Sequence, residues 1–409
     1  MSLPTCLIVY DRGSASAVTV LSAARDVCDV VFLRMRHEDA AGSDMWVIPE
    51  NVRVVDAVGL SEDEICDLAA SLSPDGVAAF NDTWLHLAAR IAQRCGLSFH
   101  SPATVPALTD KFLQRTLLNA AAVPSPQARL VSTVDDAVVA LAEIGLPAVL
   151  KPRNGAGSVD TARIESLERC RGYVAEFVAR GTGDFVLEEL LTGDPSVAGE
   201  CWGDYVSVES VVQGEDVQTV CVTSKLPLAP PFRETGHVLP CTLSERDQAA
   251  VAEVASAALR ALGVRHGVTH TEVKLTPAGP SVIEVNGRMG GYVPVLLRRA
   301  SGFDLVRTVL RLATGEPVTV PTLVWKRMEF AYLLAPPVEA KTLVSWNDVR
   351  PRDVGGIRSI ELRSKPGRAL DWRDGTANSI GLVHGTATTH EAVLASLAEL
   401  NERLNVVYR

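Results

Sequence analysis

No C-x-x-C pair occurs among the eight cysteines scattered through this 409-residue chain. That spacing argues against a zinc knuckle or a disulfide framework and for reduced thiols in a cytoplasmic setting. A concentrated run of Lys or Arg is also missing. With a formal net charge of −10 and a pI near 5.4, the chain is not expected to bind nucleic acid or an anionic membrane. No apolar run approaches the roughly 18 residues that a membrane span requires. Leu7–Tyr10 is broken by Asp11 and Arg12, too early for a signal-peptide core. Internal repeats and low-complexity tracts are absent. So are two nucleotide fingerprints: no G-x-G-x-x-G follows the first strand, and no G-K-S/T follows the later glycine loop.

What the chain does contain is enough apolar residue, 47%, for two or three domains with real cores. Residues 1–107 alternate between strands (Cys6–Tyr10, Val30–Leu33, Val52–Val55, Gly76–Phe80) and helices (Val18–Asp26, Glu62–Leu72, Trp84–Cys95). That pattern predicts an α/β unit with a parallel sheet covered on both faces. The loop Asp11–Ser16 lies at the carboxyl end of the first strand, where such sheets take ligands, although an ordinary turn reads the same way.

From residue 108 the texture becomes α+β. Asp110 opens a helix that carries Lys111 on its first turn and runs to about Ala121, where Pro124 and Pro126 stop it. A strand at Ala148–Lys151 leads into a loop containing Gly155, Gly157 and Ser158. Its backbone N–H groups could wrap phosphate oxygens with Lys151 beside them, or it could be a plain turn. Residues 123–184 read as a small hinged lobe. Phe185–Leu187 ends in Glu188-Glu189-Leu190-Leu191, a strand end whose backbone groups can meet an adenine edge. In Tyr205–Val212, Glu209 sits among apolar neighbours, so it must be paired or belong to a site. The proline-rich stretch after Lys225 clusters Arg233, Glu234 and His237; such loops often bind small molecules, although a loop with three solvated polar residues reads the same way.

The most informative stretch is Thr269–Arg288. Alternation in Val268–Leu275 and Ser281–Asn286, with Pro277, Gly279 and Pro280 between, predicts two antiparallel strands and a tight turn. Glu272 and Glu284 can converge there beside the amide oxygen of Asn286. All three are hard oxygen ligands of the kind magnesium takes, unless the hairpin is simply solvated. Arg288 follows at once, and Tyr292 comes after a Gly-Gly pair. Residues 321–409 read as a β-rich tail with strands near Glu329–Leu334, Ile357–Arg363 and Ser379–Thr386.

Taken in order, a helix-borne Lys111, Lys151 followed by G-A-G-S, E-E-L-L, and a two-carboxylate hairpin ending E-V-N-G-R resemble the ATP-grasp superfamily over most of residues 1–320. The resemblance implies a Rossmann-like N-terminal domain at 1–107, an ATP-grasp domain at 108–320 with its lid lobe at 123–184, and a β-rich region at 321–409. It further implies that Lys111, Lys151, Gly155, Gly157 and Ser158 contact ATP, while Glu188, Glu189 and Leu191 hold adenine. Glu272, Glu284 and Asn286 would bind two Mg²⁺ ions, with Mn²⁺ an acceptable substitute. Arg288 would face the reacting carbonyl.

The segments YVSVESVV, R-E-T-G-H and T-H-T-E-V-K-L are most like the bacterial L-amino acid ligases. That likeness implies that Glu234, His237 and Tyr292 meet small-molecule substrates, a carboxylate and an amine, with a homodimer compatible. The asparagine of E-V-N-G-R is common across the superfamily, so the hairpin does not single out dipeptide formation. The chemistry suits the side chains: a carboxylate needs activation before an amine can attack it, and phosphorylation supplies the leaving group. Glu209 and His237 are both candidate bases. Another ATP-grasp activity, such as a carboxylase or purine-pathway ligase, stays open, as does a nucleotide-binding regulator without turnover.

Overall fold

The computed structural model describes residues 2–36 and 48–409. In the N-terminal part, β1 (Thr5–Tyr10), α1 (Ala17–Ala24), β2 (Asp29–Arg34), β3 (Arg53–Asp56), α2 (Glu62–Ser71), β4 (Gly76–Ala79) and α3 (Leu85–Cys95) build a parallel sheet ordered β3-β2-β1-β4. Alternate residues of β1 serve opposite faces, as the two-residue period requires. Cys6, Ile8 and Tyr10 enter one core, while Leu7 and Val9 enter another. The expected α/β unit is therefore present. Sequence reading passed over the short α4 (Val105–Thr109).

Helix α5 (Lys111–Ala120) begins where Asp110 accepts hydrogen bonds from the Phe112 and Leu113 amides. A lobe follows, made of β5 (Ala128–Val131), α6 (Val134–Ile144), β6 (Ala148–Pro152), β7 (Ala162–Ile164), α7 (Leu167–Ala179) and β8 (Phe185–Glu189). Its four strands are antiparallel in the order β5-β8-β6-β7, and α6 and α7 pack on them through Ala137, Leu141, Val174 and Phe177.

The chain continues through α8 (Pro195–Ala198), β9 (Tyr205–Gln213), β10 (Asp216–Lys225), β11 (Gly236–Leu239), α9 (Glu245–Ala261), β12 (His266–Thr276), β13 (Gly279–Asn286), α10 (Val293–Ser301), α11 (Leu305–Ala313) and β14 (Met328–Leu333). It closes with β15 (Leu343–Ser345), β16 (Ile357–Leu362), β17 (Gly381–Ala387), α12 (His390–Leu404) and β18 (Val407–Tyr408). Eight of these strands form one sheet, β13-β12-β9-β10-β11-β14-β17-β16. Strands on both sides of residue 320 thus share a sheet, because β11 pairs with β14 and satisfies an edge that would otherwise be open. Helix α11 lies against the N-terminal sheet so closely that a Cβ on Gly76 would stand 2.4 Å from the Ala313 carbonyl oxygen. Among the described residues no helix is long and apolar enough to cross a membrane.

Candidate active site

The β12–β13 hairpin carries Glu272 directly opposite Glu284, with a register irregularity just after Glu272. Both side chains remain partly open, 25% and 21% exposed, so an ion can reach them. Asn286 pairs with His270 and is buried. Two carboxylates and an amide oxygen fit a hard divalent cation whose other positions are filled by phosphate and water. Among the described residues no larger cluster of His, Cys, Asp and Glu is arranged to hold a metal.

Lys111 connects this hairpin to the glycine loop. Its Nζ stands 3.0 Å from Glu284 Oε1 and donates to the Gly155 carbonyl. Burial pushes the Glu284 carboxyl up, but Lys111 and Lys151 outweigh it and hold the group below the usual carboxylate range. Helix α5 is fastened to the same hairpin by Gln114, whose amide bonds both the Val285 N–H and its carbonyl at 2.9 Å. A side chain here does what a neighbouring strand would do.

Behind the loop, Lys151 Nζ lies 2.8 Å from one oxygen of Glu188, and Arg115 Nε lies 3.0 Å from the other. All three are buried. Glu188 therefore sits between two cations. Glu189 is exposed, its carboxylate accepts from the Gln127 amide, and its own amide donates to Gln127. Leu190 and Leu191 follow beyond the strand. In the loop, Gly155 and Gly157 take φ of +111° and +73°, and Ser158 takes +59°. The Ser158 hydroxyl donates to the Phe232 carbonyl at 2.9 Å.

On the other side of the hairpin, Glu209 is wholly buried against His270, and its second oxygen accepts from the Gly290 amide at 3.1 Å. Gly290 is needed for this approach: a Cβ there would meet His270 Nδ1 at 2.6 Å. Burial alone would lower the His270 pKa, but the Glu209 carboxylate holds it up to about 9. Its Nε2 stands 3.6 Å from Glu272 Oε1. Both Glu209 oxygens are thus occupied.

The proline-rich loop ends in a second cluster. Glu234 joins the buried Lys225 and lies 3.2 Å from His237 Nε2. Burial raises the Glu234 pKa, and His237 and Lys225 together drive it well below the usual range. Burial instead lowers the His237 pKa. Tyr292, at the start of α10, packs on the His237 ring with centroids 5.3 Å apart. Arg233 lies outside this cluster, fully buried, donating to the Pro230 and Pro336 carbonyls. Arg288 binds Asp82 of the loop after β4 at 2.7 Å, and this pairing keeps its pKa raised despite burial.

Four participants escaped sequence reading: Asp82, Arg115, Lys225 and His270. His270 had a signal, since it shares a strand face with Glu272 at i, i+2. So did Arg115, four residues after Lys111 on one helix face. Asp82 had none.

Residues 144–294 match the protein family described as ATP-grasp domain. The chain is similar to alanine–anticapsin ligase of Bacillus subtilis, 27% identical over 275 residues, which is 63% of this chain and 58% of that protein. It is similar to carnosine synthase 1 of Gallus gallus, 32% identical over 283 residues, 64% of this chain and 30% of that one. The chain therefore spans less than two thirds of either relative. Among solved structures, the L-amino acid ligase from Bacillus licheniformis superimposes with a TM-score of 0.77 at 19% identity, over 100% of this chain and 99% of that one. That likeness is one of fold.

Proposed function

This chain carries an ATP-grasp domain, and from that we propose that it joins a carboxylate to an amine, at least one of them an amino acid, with release of ADP and phosphate. The observation that carries the reading is Lys111 standing between Glu284 and the Gly155 carbonyl, with Glu272 across the hairpin from Glu284. Acids for a metal, a lysine and a phosphate loop so arranged suit transfer of a terminal phosphoryl group. The similarity to an alanine–anticapsin ligase and a carnosine synthase supports the same direction.

In this mechanism the substrate carboxylate attacks the terminal phosphate of ATP, giving an acyl phosphate and ADP. The amine then attacks the carbonyl carbon, phosphate leaves, and the nitrogen gives up a proton. Glu272, Glu284 and Asn286 would hold one or two Mg²⁺ or Mn²⁺ ions, which supply neutralising charge for the phosphates. Lys111 and Lys151 add fixed positive charge beside the loop amides. Arg288, once released from Asp82, stabilises the oxyanion that forms on the carbonyl. Glu234 and His237 bind the amino-acid substrate, with Tyr292 limiting its size. Because Glu209 is saturated by His270 and the Gly290 amide, its part is to orient His270. His237, buried but not saturated by hydrogen bonds, is the better proton acceptor.

The test is to incubate the protein with ATP, Mg²⁺ and pooled amino acids and to identify the nucleotide product. Amino-acid-dependent ADP and phosphate are expected. AMP and pyrophosphate would overturn the mechanism, bicarbonate dependence would favour a carboxylase, and no turnover would favour a nucleotide-binding regulator.

A further inference from the structure

The glycine loop has little to pack against on its own. A Cβ on Gly155 or Gly157 would find nothing within 4 Å, and a loop with so many permissive φ angles samples many shapes unless something else holds it. Besides Lys111 at the Gly155 carbonyl and the Phe232 carbonyl at Ser158, a distant part of the chain touches it. Trp372–Asn378 forms a short helical segment interrupted at Gly375, where φ is 59° and ψ is −135°. The Thr376 amide donates to the Gly157 carbonyl at 2.8 Å, and the Asp160 amide donates to the Arg373 carbonyl at 2.9 Å. Gly375 is pressed onto the loop: a Cβ there would stand 2.0 Å from the Gly157 carbonyl oxygen and 2.7 Å from Ser158 carbonyl carbon.

The segment is itself anchored in the lobe that carries the loop. Trp372 is buried in the lobe's core, edge-on to Tyr173 at 6.0 Å. Arg373 lies over the Trp372 ring at 4.8 Å and pairs with Glu176 of α7 at 2.8 Å. At its other end the segment runs directly into β17 of the eight-stranded sheet. The same sheet carries His237 on β11.

We propose that Trp372–Asn378 is a brace that positions the phosphate-binding loop, with Gly375, Arg373 and Trp372 as positioning residues. The idea rests on the ligase reading for its consequence but not for its geometry. By fixing the carbonyl of Gly157 and the amide of Asp160, the brace holds the loop in one conformation before nucleotide arrives. It also couples the lobe to the sheet that carries the second substrate's cluster, so that an acyl phosphate stays screened from water until the amine is present. A loosened brace lets the loop open during turnover and loses activated carboxylate to hydrolysis.

The experiment uses the full chain with Gly375→Ala, which puts a methyl against the Gly157 carbonyl. Arg373→Gln is the second variant, since it cuts the Glu176 pair without straining the backbone. Gly367→Ala serves as the control: it has φ +93° and open space around it, so it carries backbone strain without touching the lobe. Amide exchange is followed in peptides covering 153–160, and ADP formed per amide product is measured. Both brace variants should speed exchange of the loop amides by about tenfold and raise the ADP-to-product ratio above that of wild type, while the control matches wild type. Loop exchange and coupling unchanged in both brace variants would overturn the proposal. If Gly375→Ala does not fold, Arg373→Gln decides alone. Should wild type show no amino-acid-dependent ADP release, the ligase reading falls, and the exchange measurement still judges the brace.

Discussion

Glu284 is the side chain on which most of the site depends, because it faces Glu272, meets Lys111 and lies near Lys151. Glu284→Gln keeps its shape and removes its charge. Turnover should fall by about 10² with the fold intact, checked by rate against Mg²⁺ concentration and by circular dichroism; a wild-type rate would reduce Glu284 to a surface acid. Arg115 makes a different point. It is one of the largest wholly buried side chains in the protein, and its partner Glu188 is buried too. Arg115→Met leaves that carboxylate with Lys151 alone, so urea unfolding should show a loss of about 3–5 kcal/mol. A loss below about 1 kcal/mol would mean the group behaves like a solvated pair.

The lobe from β5 to β8, residues 128–189, has its own core, built by α6 and α7 on four strands and completed by Trp372. Its glycine loop has open space around Gly155 and Gly157, and the lobe is the element expected to tighten around nucleotide. Hydrogen exchange in 148–164 should slow when Mg²⁺ and a non-hydrolysable ATP analogue are added. Equal exchange in both states would remove the closure. Helix α11 illustrates the opposite case, a rigid junction. Gly76 lets β4 meet the Ala313–Thr314 backbone, and Gly76→Val should lower the melting temperature by several degrees, since two backbones must separate.

Across the full chain, the loop after α3 is joined to the end of the β12–β13 hairpin by His100. Its Nε2 bonds the Gly287 carbonyl at 2.8 Å, and its Nδ1 is buried without a partner. Burial therefore lowers its pKa to about 4, the Gly287 bond opposing only in part. An unfolded histidine titrates near 6.5, so between about 6.5 and 4 the unfolded chain binds a proton that the folded chain refuses. The contribution of His100 is complete above pH 6.5 and is lost as pH falls. From pH 7 to pH 5 it should cost about 2 kcal/mol. Urea unfolding at the two pH values, compared with His100→Gln, checks this: the variant should lack that part of the slope.

Much of this was readable in the residues because it is local. The two-residue period of Val268–Leu275 and Ser281–Asn286, with its turn between, lets Glu272 and Glu284 converge, and the two strands pair with these residues opposite one another. Asp110 capped its helix as such an acid should, and the tail strands near 329, 357 and 381 lay where their apolar alternation put them. What stayed hidden depends on pairs with no shared period. Arg288 and Asp82 lie 206 residues apart and Glu209 and His270 lie 61 apart. Nothing in the pattern around one member names the other. The same holds for Ser158 reaching Phe232 and for Thr376 reaching Gly157. Backbone propensity and side-chain alternation are set by nearest neighbours along the chain, so sequence carries them. Which buried charge neutralises which, and which distant turn steadies a glycine loop, follows from how the layers stack, and that is settled only when they pack.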